Sequence, residues 1–216
     1  VYEEAVLALT RSAMAEMVGL VTDQNERIVE LEAQIDAASG RIDNIRIGTL
    51  FGIPFFINPS WFVVLGLVTL TYSGRLAALY PELNAFAWIL GLLTALLLFA
   101  SVLAHELGHS VAAIQQGIEV KSITLFIFGG LASLGEESKT PGDSFKVAIA
   151  GPLVSFALFG IFTLVRLFTP IAGPFEAILA LLAYINLALG LFNLIPGLPL
   201  DGGNVLKAIV WKITGK

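Results

Sequence analysis

Long apolar runs without a charged side chain dominate the chain after its first 46 residues. Four of these runs reach, or nearly reach, the roughly 17–25 residues that a membrane-spanning helix requires. They cover Ile47–Gly74, Leu83–Ala104, Val147–Val165 and Ala177–Leu200. None resembles a secretory signal peptide, since the first run is internal and lacks a small-residue cleavage site. The pattern predicts an all-α membrane protein built as a polytopic transmembrane helical bundle of about four spans.

The first 46 residues follow a different pattern, in which apolar residues recur every seven positions. Such a seam predicts an amphipathic or coiled-coil helix. We interpret residues 1–46 as a helical extension and residues 47–216 as the core. Three interpretations of the extension stay open: an arm that supports a homo-oligomer, a packing extension, or a fused, non-native segment. The positions of the seam are Leu7, Met14, Val21, Ile28, Ile35 and Ile42, with Met17, Leu31, Ala38 and Ile45 at an offset of three.

One segment between the second and third runs carries the pattern of β-strands. Val120–Phe128 is rich in β-branched and aromatic residues, Gly129 and Gly130 mark a turn, and Leu131–Leu134 follows. This arrangement predicts a small membrane-embedded β-hairpin or sheet. Because lipid does not tolerate open strand edges, the hairpin must be covered by protein or line a wet cavity. An apolar loop at the membrane interface is the alternative.

Proline and glycine positions indicate where helices cannot continue. Pro54 and Pro59 predict a short extended or turn segment before the first span. Gly117 predicts the end of the second helix. Pro196 and Pro199 must break the fourth helix, and backbone groups freed at membrane depth need partners inside the protein.

Composition narrows the class of protein and its partners. Of the 216 residues 56% are hydrophobic and 13% charged, whereas a soluble domain is about a quarter charged. The lipid bilayer is therefore an expected partner. The chain has no cysteine, which excludes disulfides and thiolate metal sites. A net charge of −5 without a basic stripe argues against nucleic acid as a partner.

Basic residues near the span ends predict the orientation in the membrane. Four spans place both termini on one side, which carries eight lysines and arginines near span ends, against two on the other. By the positive-inside rule the first side is cytosolic. The eight are Arg41, Arg46, Lys121, Lys139, Lys146, Lys207, Lys212 and Lys216, and the two are Arg75 and Arg166.

The candidate chemistry lies at the cytosolic end of the second span, in the sequence HELGH. His105 and His109 are the only histidines of the chain, and with Glu106 they fit the pattern H-E-x-x-H. Residues four apart share one helix face, so both imidazoles can bind one metal ion, with the glutamate beside it as general base. Ionisable groups inside a membrane segment are costly and indicate function. A catalytic zinc ion takes three protein ligands, so a third ligand is expected elsewhere in the chain.

Asp201 is the best candidate for the third ligand. It follows the proline-broken helix end, precedes Gly202 and Gly203, and lies on the same side of the membrane as the histidines. The alternatives are that it caps a helix over Asn204–Ile213 or forms a turn. Asn193, at the broken helix end, is a candidate amide donor to an oxyanion or to substrate backbone.

Three polar or small residues in the apolar spans have plainer interpretations. Asn186 is expected to hydrogen-bond between helices. Gly151 and Ser155 in the third span are interpreted first as positions of close helix packing.

The ordered motifs HELGH, AGPLVSF and FNLIPGLPLDGG resemble those of the site-2 protease family of intramembrane zinc metalloproteases. The resemblance covers about Arg46 to Lys216 and is closest to the compact bacterial and archaeal branch that often carries CBS domains. That branch usually has two further helices after the aspartate motif, so the chain resembles a truncated core. The resemblance implies one Zn²⁺ per chain, bound by His105, His109 and Asp201. It also implies that Glu106 is the catalytic base, that Asn193 helps to bind substrate, and that the hairpin presents an extended substrate.

The expected function is that of an intramembrane zinc endopeptidase. Its substrates would be transmembrane segments of membrane-tethered regulatory proteins, cleaved by regulated intramembrane proteolysis in a bacterial or archaeal cell membrane. Two alternatives stay open: a metal-ion transporter that uses the His/Asp cluster, and a catalytically silent membrane scaffold.

Overall fold

A computed structural model describes residues 44–50, 52–127, 129–136 and 138–215, together with positions 19, 22–24, 27 and 30. The positions described between 19 and 30 are helical and exposed. The heptad extension predicted for residues 1–46 otherwise lies outside the described residues up to residue 43 and stays a prediction there. At its end the prediction is wrong, because Ile45 and Arg46 belong to a β-strand and not to a helix.

Helices form most of the described chain, and four of them are long and apolar enough to cross a membrane. This confirms the predicted class of a helical membrane protein with a small sheet. A short 3-10 turn at Pro81–Leu83 joins the first two helices. In chain order the strands are β1 (Ile45–Leu50), β2 (Ile53–Ile57), β3 (Val120–Phe126) and β4 (Gly129–Leu134), and the helices are α1 (Ser60–Leu79), α2 (Phe86–Gln115), α3 (Pro141–Phe168), α4 (Pro174–Asn193) and α5 (Asp201–Thr214).

The four strands form one sheet in the order β1-β2-β3-β4. The predicted hairpin is present as the antiparallel pair β3–β4, and β1–β2 is a second antiparallel pair. Between the two hairpins, β2 pairs in parallel with β3, with Phe55 opposite Ile123. Parallel neighbours require a long crossover, and here the crossover consists of α1 and α2.

The β1–β2 hairpin overlaps the start of the first apolar run. β2 agrees with the short extended segment predicted before the first span, and the helix begins at Ser60. The pairing of β2 with β1 was not predicted; Gly52, with φ +83°, makes the reversal between the two strands. β2 is apolar because both its ends are buried, with Ile53 at 4% and Ile57 at 7% exposure, whereas Ile47 of β1 is exposed.

Helices α2 and α3 pack closely beneath the sheet. At Gly108 of α2 a Cβ atom would lie 2.9 Å from the Ala150 carbonyl oxygen of α3, so only glycine permits this separation. The outer faces of the long helices expose large apolar side chains such as Leu67, Leu93 and Leu164, as expected of lipid-facing surface. A buried cluster joins the sheet to the end of α2 and comprises Ile53, Ala113, Ile118, Val120, Ile123 and Val147.

The later helix boundaries position the last element of the bundle. α4 ends at Asn193, as the break expected from Pro196 and Pro199 requires, although the apolar run continues to Leu200. α5 then begins at Asp201. At Gly202 an added Cβ would collide with the carbonyl oxygens of Leu194 and Ile195, so glycine lets α5 pack against this turn. Glycine is needed at positions 202 and 203 because backbone atoms of the preceding turn approach them closely, and not because either has a positive φ. This close packing directs Asp201 toward the bundle.

Candidate active site

The helical spacing of the HELGH sequence brings its two imidazoles together on one face of α2. The Nε2 atoms of His105 and His109 lie 3.2 Å apart. Both side chains are largely enclosed, with 4% and 12% exposure. The sequence expectation that both rings reach one point is therefore met by the geometry.

Asp201 joins the two histidines from the first turn of α5, ninety-six residues after His105. Its Oδ2 atom lies 3.1 Å from Nε2 of His105 and 3.2 Å from Nε2 of His109. The N-cap of α5 is Leu200, so Asp201 does not occupy the cap position that the sequence left open.

The other ring nitrogens of the histidines have their own partners. Nδ1 of His109 donates to the Val147 carbonyl oxygen at 2.7 Å, which leaves Nε2 of neutral His109 as an acceptor. Nδ1 of His105 lies 2.9 Å from the fully buried Ser155 hydroxyl. If Nδ1 of His105 donates to Ser155, the Nε2 lone pairs of both histidines and a carboxylate oxygen of Asp201 converge on one point. Three acceptors so placed favour a cation between them.

The donor set and its dimensions fit zinc. Ligand distances of 2.0–2.2 Å in a tetrahedral site imply ligand atoms about 3.3 Å apart, close to the 3.1–3.2 Å separations of this triangle. Two imidazoles and one carboxylate leave a fourth position for water or substrate, which is typical of a catalytic site. His105, His109 and Asp201 are the residues that could hold the ion.

Small residues of α3 form the wall behind the histidines. A Cβ atom at Gly151 would collide with Nε2 of both His105 and His109. Gly151, Ser155 and the Val147 carbonyl all lie on α3 within two turns. From the sequence alone, Gly151 and Ser155 are predicted to be packing positions, and no role is predicted for Val147. The one available signal was the general need of a metal-binding histidine for a partner at its second nitrogen.

Glu106 lies where strand β4 crosses the end of α2. An added Cβ at Gly130 would collide with Cγ of Glu106, so the strand backbone passes directly over this side chain. Both residues line a cavity of about 370 Å³ together with His105 and Asp201.

Asn193 lines the same cavity from the end of α4. Its Nδ2 donates to the Leu189 carbonyl oxygen at 3.0 Å, which uses one of its two N–H groups. Asn186 lies deeper and is fully buried. Its Nδ2 donates to Ser101 Oγ at 3.0 Å, which links α4 to α2 one turn before His105. This is the hydrogen bond between helices that was predicted for Asn186.

These features define a polytopic membrane protein with a candidate metal centre and an adjacent carboxylate inside its helical bundle. The profile of peptidase family M50 matches residues 93–172 and 169–216. This is more than half of the chain, and the chain belongs to that family. The resemblance to site-2 proteases drawn from the three motifs is thereby confirmed.

Named relatives and a solved structure agree with this assignment. A Synechocystis sp. protein whose name contains the words zinc metalloprotease is 67% identical over 174 residues, which cover 80% of this chain and 46% of the relative. A zinc metalloprotease of Methanocaldococcus jannaschii is 35% identical over 176 residues, covering 80% of this chain and 47% of the relative. The structure of a site-2 protease from Methanocaldococcus jannaschii has a TM-score of 0.56 and 32% identity, covering 79% of this chain and 73% of that chain. The chain thus spans about half the length of the two named relatives.

Proposed function

We propose that the protein is an intramembrane zinc endopeptidase, with His105, His109 and Asp201 as the zinc ligands. The observation that carries the proposal is the convergence of two Nε2 atoms and one carboxylate oxygen at 3.1–3.2 Å, beside a glutamate in the same cavity. Family membership supports the same chemistry. The metal transporter and scaffold alternatives gain no support, since the relatives are named metalloproteases.

Glu106 is the proposed general base and acid. Bound zinc supplies Lewis-acid chemistry, in which a carbonyl is polarised and water becomes more acidic. A carboxylate oxygen of Glu106 accepts a proton from the attacking water and then delivers it to the leaving amine nitrogen. The backbone of β4 at Gly130 packs against the Glu106 side chain at the cavity wall. The second N–H group of Asn193 is the proposed donor to the substrate carbonyl or the developing oxyanion.

Strand β4 is the proposed binding surface for an extended substrate. It is the last strand of the sheet, so within the described chain its second edge pairs with no strand. Gly130, Leu131, Ala132 and Leu134 of this strand line the cavity, so the strand runs along the space that contains Glu106. A transmembrane helix that unwinds locally can add to this edge, which presents its peptide bonds beside Glu106 and offsets the loss of helical hydrogen bonds.

The proposed substrates are membrane-tethered regulatory proteins that each contain a transmembrane helix. The four apolar helices support a lipid environment, in which such a helix can reach the site. The basic residues near the span ends support a cytosolic location of both termini and of the site. The resemblance to the bacterial and archaeal branch of the family supports the cell membrane of such an organism. Self-association through residues 1–46 is part of the proposal and rests on the heptad spacing alone.

Cleavage of a single-span membrane substrate by wild type and Glu106→Gln, with zinc content measured in parallel, tests the proposal. We expect wild type to cleave, and Glu106→Gln to retain zinc but lose cleavage by about 10²-fold or more. Equal cleavage by both proteins would contradict the protease assignment. Asp201→Asn should lower zinc retention, and unchanged zinc would remove Asp201 from the ligand set.

A further inference from the structure

One face of α5 extends the wall of the catalytic cavity beyond the metal ligands. Asp201, Asn204, Lys207 and Trp211 all line the cavity and are spaced three or four residues apart, as one helix face requires. The opposite face exposes an apolar stripe of Leu206, Ile209 and Ile213. α5 therefore directs Lys207 toward the cavity and the apolar stripe toward the surroundings.

We propose that Lys207 is a specificity-determining residue that binds an acidic side chain of the substrate close to the scissile bond. This inference rests on the proposed function, because it assigns a substrate feature to the same site. Lys207 is half-buried at the cavity wall. Among the described residues no carboxylate lies within ion-pair distance of its ammonium group, whereas Lys139 and Lys146 pair with Glu136 and Asp143.

The charges of the cavity favour an anionic substrate group. Among the described residues that line the cavity, three carry charged side chains, which are Glu106, Asp201 and Lys207. The two positive charges of a zinc ion balance the two carboxylates, and the histidines are neutral when they bind metal. Lys207 is then the unbalanced charge, so a substrate carboxylate completes the charge pattern.

The position of Lys207 limits which substrate residues it can contact. Six residues along a helix correspond to about 9 Å between Asp201 and Lys207. An extended peptide advances about 3.3–3.6 Å per residue. The Cα atom of Lys207 is therefore displaced from that of Asp201 by about the length of three extended substrate residues, and its flexible side chain can reach substrate residues close to the bond beside the metal ligands. The apolar stripe on the other side of α5 argues that this lysine does not serve mainly as a contact for lipid headgroups.

Matched substrates test the proposal. In a single-span substrate with a mapped cleavage site, each of the three residues on either side of the scissile bond is changed in turn to Glu, Gln or Lys. We expect one position at which wild type prefers Glu, with kcat/KM about three- to tenfold higher than for Gln, corresponding to about 0.7–1.4 kcal/mol. Lys207→Gln should bring this ratio close to one, and Lys207→Glu should make Lys the preferred residue there. Lys212→Gln, an exposed residue on the same helix, serves as the control that retains the wild-type ratio.

Zinc content, measured for every variant, identifies any that fail to fold. Equal rates for Glu and Gln at all six positions in wild type, or a Glu preference that persists in Lys207→Gln, would overturn the inference while the protease assignment stands. A wild-type protein that binds zinc and cleaves none of the substrates would instead overturn the proposed function, and the substrate preference with it.

Discussion

The hydroxyl oxygen of Ser155 lies 2.9 Å from Nδ1 of His105, and the two residues are fifty positions apart in the chain. Ser155 has no exposed surface, so water cannot replace this contact. With Nδ1 donating to the serine, Nε2 carries the lone pair that faces His109 and Asp201. A buried serine of α3 therefore fixes the orientation of the His105 ring, a proposed zinc ligand on α2.

Ser155→Ala should lower zinc affinity by about 10- to 100-fold, the range typical when the partner of a metal-binding histidine is lost. Competition with a calibrated chelator measures the affinity without reference to activity. Ser73→Ala is the matched control, since Ser73 is also buried and lies on α1 against Gly91. Gly91 is about 21 Å from His105 along α2. Equal zinc affinities for the two variants would show that the serine contact is dispensable.

Gly151→Ala should abolish stoichiometric zinc binding. The added methyl group occupies space that Nε2 of His105 and His109 now use, so at least one ring must turn away. Gly160→Ala provides the control on the same helix, because a Cβ there meets nothing within 4 Å. Metal analysis of the purified proteins should give wild-type zinc for Gly160→Ala only. A wild-type zinc content in Gly151→Ala would mean that the backbone of α3 can shift to make room for the methyl group.

Gly130→Ala should separate metal binding from catalysis. The added methyl group displaces the Glu106 side chain, which is not among the proposed ligands. We expect zinc content near wild type and a fall in kcat of about 10²-fold or more, the contribution usual for a positioned base. Gly48→Ala in β1, where nothing lies within 4 Å of the new Cβ, should cleave at the wild-type rate. A Gly130→Ala protein with normal kcat would argue against Glu106 as the base.

The orientation in the membrane can be tested by cysteine labelling, because the chain contains no cysteine of its own. We introduce single cysteines at Glu82, in the connection between α1 and α2, and at Lys139, in the loop before α3; both positions are exposed. A membrane-impermeant maleimide should label Glu82→Cys in intact cells and Lys139→Cys only in inverted membrane vesicles. The reverse labelling would contradict the cytosolic assignment of the site.

The sequence was sufficient to locate the candidate ligands because each one carries its own local signal. His105 and His109 stand at helical spacing in an apolar run, and Asp201 stands between a broken helix and two glycines. The partners of the histidines carry no such signal, since Ser155 and the Val147 carbonyl become relevant only after α3 packs against α2. Tertiary hydrogen bonds of this kind cannot be derived from the spacing within one segment.

The sheet was only half predictable for a related reason. The β3–β4 hairpin is a local structure with a glycine turn, whereas most of β1 and β2 lies within an apolar run whose composition is typical of a membrane span. Burial of β2 makes its residues as apolar as those of a helix, and periodicity does not separate the two in so short a segment. The parallel pairing of β2 with β3 joins residues more than sixty positions apart, which no local pattern encodes.

That parallel pairing also closes the α1–α2 segment at its base. Backbone hydrogen bonds join the strand before α1 to the strand after α2, so the two helices form a loop whose ends are fastened to each other. A single protease cut in the connection at residues 80–85 would leave both fragments held by this ladder and by helix packing. The HELGH segment would then keep its place beside Asp201 although the chain between the first two helices is no longer continuous.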